Sequence, residues 1–216
     1  MTSIKAVLFD YDDTLVQTRA SKYLAIQALA RDFYNYELTS EVISKDWGKS
    51  FDLLFKNLFG EIDSDHEQVV SRYKSITDNF PMESYPDAVD TVMALIADKH
   101  VGVVTSTSRA LIMPDLERLG FPVSDFLLIQ TCEDTDIHKP NPEVFKPALL
   151  TLANHSIAPE EILYVGDSHI DFLAANGAGL KFAGIPREEK AFEKFKTEKI
   201  TALDSLSALL DSNIIG

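Results

Sequence analysis

The chain has 216 residues, 45% of them hydrophobic and 25% charged, enough to build a core in one large domain or in a medium domain carrying an insert, and not a composition of intrinsic disorder. Its 34 acidic residues against 20 basic ones leave a formal net charge of −14, a field that argues against nucleic acid or an anionic membrane as partner. Cys132 is the single cysteine, which excludes an intrachain disulfide and a cysteine-based zinc site; with no targeting or membrane-spanning run, a cytoplasmic location is the expectation.

Ile4 to Phe9 is a short apolar run stopped by acids, the pattern of a strand buried on both faces whose carboxyl end opens onto something polar. The next such run begins only at Val101, far beyond the dozen or so residues that a βαβ crossover needs, so a segment has been inserted. From Ser21 to Phe80 the chain reads as helical. Phe51, Leu54, Phe55, Leu58 and Phe59 repeat on one face before Gly60 ends the helix. Ser64 with Glu67 forms a capping-box pattern for the next helix, whose apolar face is Val69, Val70, Tyr73 and Ile76. These aromatic stripes read as core, not as a cofactor site.

Pro86 is expected to begin the helix that returns the chain to the sheet. Strand-like runs follow at Val101 to Thr105, Phe126 to Gln130, Ile162 to Gly166 and Leu180 to Ile185. Helical patterns alternate with them at Arg109 to Leu119, at Pro142 to Asn154 with Asn141 as N-cap, and at Ile170 to Ala175 before Gly177. Lys199 to Ala202 and Ser205 to Leu210 read as a last strand and helix. The fold class expected is α/β, a doubly wound parallel sheet, in which ligands bind outside the carboxyl ends of the strands. Residues 1–17 and 83–216 form the expected core domain, and residues 18–82 an inserted all-helical cap placed to act as a lid.

The polar residues that matter stand at the ends of these strands. Asp10 and Asp12 flank Tyr11 after the first run, with Asp13 and Thr14 next; crowded carboxylates recruit a divalent cation or form a tuned acid–base pair. Thr105, Ser106 and Thr107 close the second, Lys139 lies in a loop before a helix, and Asp167 and Asp171 follow the fourth run at helical spacing. Each alone reads equally well as a solvated turn or a helix N-terminus. Placed at one crevice, carboxylates for a hard cation together with a hydroxyl and a lysine for anionic oxygens suit phosphoryl transfer.

FDYDDTLV at 9 to 16, the strand ending in Thr105, Lys139 within HKPNPEVF, and VGDSHID at 165 to 171 together resemble the four ordered motifs of the haloacid dehalogenase-like hydrolase superfamily. The helical insert between the first two resembles the phosphoglycolate phosphatase and β-phosphoglucomutase branch. The resemblance implies a magnesium-dependent phosphatase working through an aspartyl-phosphate. Asp10 would be the nucleophile and Asp12 the general acid and base. Magnesium would be held by Asp10, the backbone carbonyl of Asp12 and Asp167, with Asp171 as ligand or as an acceptor behind the ligands. Thr105 and Ser106 would hold phosphoryl oxygens, and Lys139 would neutralise charge. Asp12 separates this pattern from the dehalogenases, and Asp13 stands where many relatives have glycine.

Substrate choice is assigned to the cap, around Trp47, Gly48, Lys49 and Ser50, with Lys49 able to meet an anion; Arg109 is a second candidate. The expected substrate is a small phosphorylated metabolite, handled by a monomer or homodimer with neither nucleic acid nor membrane as partner. A sugar phosphomutase is the enzyme alternative, and a catalytically inactive regulatory protein on the same fold the alternative of another class. A phospho-receiver domain is set aside because its phosphorylated aspartate lies on a middle strand, with no acidic motif after the lysine.

Overall fold

A computed structural model describes residues 3–47, 51–211 and 215. By its internal contacts the chain divides into two compact units, Met1–Gln17 with Ser84–Gly216, and Thr18–Glu83.

Among the described residues the larger unit holds five strands, β1 (Ala6–Phe9), β2 (His100–Val104), β3 (Leu128–Gln130), β4 (Ile162–Gly166) and β5 (Lys181–Gly184). They pair in parallel in the order β3-β2-β1-β4-β5. Every residue of β1 and β4 is buried, as the unbroken apolar runs require of strands covered on both faces. The chain proceeds outward from β1 through β2 to β3, then returns to the other side of β1 for β4 and β5. The point of reversal lies between β1 and β4, where an open α/β sheet places its ligand crevice.

The helical unit contains α1 (Thr18–Tyr34), α2 (Ser40–Ser44), α3 (Phe51–Phe59) and α4 (His66–Ile76). Its core gathers Ile26, Leu29, Ile43, Phe55, Phe59 and Val69, with Phe51 stacked on Phe55 at 4.2 Å and Tyr73 edge-on to Phe55 at 4.8 Å. The expected cap of α4 is displaced by one residue. Asp65, not Ser64, accepts the Gln68 amide at 3.0 Å, which places Glu67 in the first turn, where the helix dipole favours it.

The larger unit is completed by α5 (Ala88–Ile96), α6 (Arg109–Arg118), α7 (Lys146–Asn154), α8 (His169–Gly177), α9 (Glu189–Glu198) and α10 (Ala208–Asp211). α5 begins two residues after Pro86. The expected helix from Pro142 opens as a 3-10 turn, Pro142–Phe145, capped by the Asn141 side chain accepting the Glu143 amide at 3.0 Å. α8 runs through Gly177 instead of stopping before it. The last expected strand is reduced to one parallel bridge between Gly184 and Ala202, because α9 consumes the approach and Lys199 closes it with a left-handed φ of 56°. No helix of the described residues is long and apolar enough to cross a membrane.

Candidate active site

Phe9 is in register with Val103 on β2 and Val165 on β4. The Asp10 amide then donates to the Val165 carbonyl at 2.8 Å, so the Asp10 side chain leaves the sheet between the ends of its two neighbours. The next residues form a tight turn in which the amides of Leu15 and Val16 both reach the Tyr11 carbonyl at 3.1 Å. Asp13 occupies a left-handed conformation there, with φ 53°. Arg187, just beyond β5, clamps this turn from outside. Its Nε and Nη2 donate to the carbonyls of Asp13 and Thr14, each at 3.2 Å, and its guanidinium lies 3.5 Å from the Tyr85 ring centroid.

Lys139 reaches the end of β1 from the loop after β3. Its Nζ donates to Asp10 Oδ1 at 2.7 Å, to Asp171 Oδ1 at 2.8 Å and to the Tyr164 hydroxyl at 2.5 Å. The Tyr164 hydroxyl in turn donates to the Val104 carbonyl at 2.9 Å, tying β4 to β2 behind Asp10. Asp171 is buried within the first turn of α8, where its Oδ2 accepts from the amide and hydroxyl of Ser168. Asp167 is half-buried, and one carboxylate oxygen each from Asp10, Asp167 and Asp171 fall within 4.8 Å of one another.

Burial is the main electrostatic influence on this group. It pushes Asp10 up to about 7, against the pull of Lys139 and with added repulsion from Asp171 and Asp12. Burial also opposes the charge on Lys139, yet Asp10 and Asp171 outweigh it and hold the ammonium well above its ordinary value. The Tyr164 phenol is held protonated, chiefly by burial. Three clustered carboxylates facing one ammonium leave an excess of negative charge, which a divalent cation with oxygen ligands would offset. The donor set therefore fits such an ion.

Thr105 is buried at the end of β2, and its Oγ1 accepts the Thr107 amide at 3.1 Å. Ser106 between them is exposed. Asp12 does not contribute a side-chain oxygen to the carboxylate cluster; its Oδ2 accepts instead from Thr107 Oγ1 at 2.5 Å. Arg109, expected as a substrate contact, is engaged in the loops. Its Nη2 donates to the Ile129 carbonyl at 2.7 Å and to Asp134 at 3.0 Å, so a neighbouring acid and a carbonyl satisfy it. Gly48, Lys49 and Ser50 lie outside the described residues. Trp47 packs edge-on to Tyr23 at 4.9 Å within the helical unit.

Three residues of the site were given no role by sequence reasoning. Tyr164 is read there as one more apolar strand residue, although a hydroxyl inside a fully buried strand requires a partner. Thr107 is passed over for Thr105, and Arg187 carries no motif; its signal is only its position after a strand.

A parallel sheet with a buried Lys–Asp cluster at the reversal point is a doubly wound α/β core with a polar site at its strand ends. The chain belongs to the haloacid dehalogenase-like hydrolase family, which matches residues 7–185, so the resemblance of the four motifs is borne out. It is 28% identical over 212 residues to pyrophosphatase PpaX of Bacillus pumilus, covering 97% of this chain and 96% of that one. In fold it resembles a haloacid dehalogenase-superfamily hydrolase, subfamily IA, of Geobacter sulfurreducens, with a TM-score of 0.76, 21% identity, and coverage of 99% of this chain and 97% of that one. It also resembles YfnB of Bacillus subtilis, solved bound to magnesium, with a TM-score of 0.75, 20% identity and 99% of both chains covered.

Proposed function

We propose that the chain is a magnesium-dependent phosphatase of small phosphorylated metabolites that works through an aspartyl-phosphate. The observation that carries this reading is the Lys139 ammonium joining Asp10 to Asp171 beside Asp167, with a second carboxylate, Asp12, two residues after Asp10.

In the first half-reaction a carboxylate oxygen of Asp10 forms a bond to phosphorus while the bond to the leaving oxygen breaks, and Asp12 donates its proton to that oxygen. In the second, Asp12 takes a proton from water as the water oxygen bonds to phosphorus and the Asp10–phosphorus bond breaks. Lys139 balances negative charge on Asp10 and on the phosphoryl group, and the Thr105 hydroxyl, with Ser106, donates to phosphoryl oxygens. Asp10, the Asp12 carbonyl and Asp167 would hold magnesium, which would supply positive charge to the phosphoryl oxygens. Asp171, with both oxygens already accepting hydrogen bonds, supports that set by holding Lys139 and Ser168. Substrate selection is assigned to the helical unit, which is inserted directly after the turn carrying Asp12.

The test is phosphate release by purified protein with magnesium from a panel of pyrophosphate, phosphoglycolate, sugar phosphates and nucleotides. Magnesium-dependent release from at least one member is expected, and Asp10→Asn should abolish it. An inert panel, or release that survives Asp10→Asn, overturns the assignment. Isomerised sugar phosphate with little free phosphate would replace hydrolysis by phosphoryl transfer.

A further inference from the structure

We infer that Thr107 is a positioning residue for Asp12, holding the acid–base carboxyl in place through both halves of turnover; the inference rests on the phosphatase reading above. Thr107 Oγ1 lies 2.5 Å from Asp12 Oδ2. The backbone that carries this hydroxyl is itself held, because the Thr107 amide donates to Thr105 Oγ1 at 3.1 Å and its carbonyl accepts the Cys132 amide at 3.3 Å. Asp12 is thus braced from the end of β2 and from the segment after β3, neither of which belongs to its own turn.

The chemistry of the partner matters as much as its position. An acid–base residue alternates between carboxylic acid and carboxylate, and a charged partner that can only donate, such as an ammonium, favours the carboxylate and cannot accept the acid's proton. A hydroxyl donates to the carboxylate and accepts from the acid. The Thr107–Asp12 contact can therefore persist while the proton goes to the leaving oxygen and while its replacement arrives from water. Lys139, a pure donor, contacts Asp10 and Asp171 and makes no hydrogen bond to Asp12 among the described contacts. Thr105 and Thr107 then divide the work of one strand end, the first for the phosphoryl group and the second for the acid.

The test compares Thr107→Val, close in shape but without the hydroxyl, with Thr107→Ser, which keeps it, using an alkyl phosphate and p-nitrophenyl phosphate with magnesium. For Thr107→Val, kcat on the alkyl phosphate should fall about 10- to 100-fold with KM changed less than about threefold. On p-nitrophenyl phosphate, whose leaving group needs no proton, the same variant should show a burst of nitrophenol stoichiometric with enzyme followed by slow turnover, because only water attack is impaired. Thr107→Ser should return both substrates to within about threefold of wild type. Wild-type kinetics in Thr107→Val, a defect confined to KM, or a Thr107→Ser as impaired as Thr107→Val each overturn the inference. Should Thr107→Val fail to fold, Thr107→Ala is read against Thr107→Ser by the same burst. A wild-type protein inert toward every phosphate overturns the phosphatase reading and this inference with it, whereas an active wild type with an unaffected Thr107→Val overturns this inference alone.

Discussion

The Asp171 side chain occupies the space that a side chain on Gly166 would need: a Cβ built at Gly166 falls 2.7 Å from both Cβ and Cγ of Asp171. Glycine at the end of β4 is therefore what allows the first turn of α8 to bring a carboxylate against the sheet. Gly166→Ala should push Asp171 off Lys139 and Ser168, destabilise the protein by about 1–3 kcal/mol, and lower kcat at least about tenfold. Urea unfolding and steady-state kinetics check both effects; wild-type turnover would show that Asp171 need not stand where it does.

Asp10 links stability to pH and, on the proposed function, to a divalent cation. With its carboxyl raised from 3.8 to about 7, the folded chain binds this proton more tightly than the unfolded chain does. Its contribution to stability is full below about 4, declines as pH rises, and is lost above about 7. A cation held by the ionised carboxylate competes with that proton, so the rise in Tm on adding magnesium should grow between pH 5.5 and 7.5. Differential scanning fluorimetry with magnesium or EDTA measures it. A magnesium-induced shift that stays flat across this range, or one unchanged in Asp10→Asn, contradicts the linkage.

Tyr164→Phe removes a hydroxyl that accepts from Lys139 and donates to Val104 while leaving the buried ring, which packs edge-on to Phe145 at 4.7 Å. A loss of about 1–2 kcal/mol is expected from the orphaned carbonyl and the lost acceptor. Turnover should fall as well, since Lys139 loses its third anchor. Full stability together with full activity would reduce Tyr164 to packing.

At Asp13 the left-handed backbone strains any side chain and suits glycine. Asp13→Ala should be less stable than Asp13→Gly by about 1 kcal/mol; the Arg187 hydrogen bond to the Asp13 carbonyl is available to both variants, and both lose the same carboxylate charge beside Arg187. Chemical denaturation of the pair decides it. Equal stabilities would place the strain elsewhere.

Asp10, Asp12 and Asp167 stood out because position on a parallel sheet is a strong constraint: an abrupt acid after a buried apolar run reads as a strand end, whereas Lys139 and Asp171 stood out only as members of the ordered set of motifs. What spacing could not supply was partnership. Asp12 and Asp10 look alike as sequence, yet one pairs with a hydroxyl and the other with a buried ammonium. Tyr164 hid among aliphatic neighbours because burial and apolarity give the same signal. Arg109 stands shortly after Thr105, but choosing between a ligand and Asp134 takes three-dimensional distance. Ser64 and Asp65 are both good caps, and local sequence does not separate two acceptors one residue apart.

The central place of β1 also governs when the site can exist. Asp10 and Asp12 follow β1, while Asp167 and Asp171 follow β4, which pairs with β1 directly. A contact between residues so distant in sequence forms late, after the chain between them has been made and folded back. During synthesis, the first two carboxylates emerge long before the residues that complete the carboxylate cluster. A chain in which β4 has not yet been made can present Asp10 and Asp12 but cannot assemble the cluster, so chemical competence waits on the segment that carries Asp167 and Asp171.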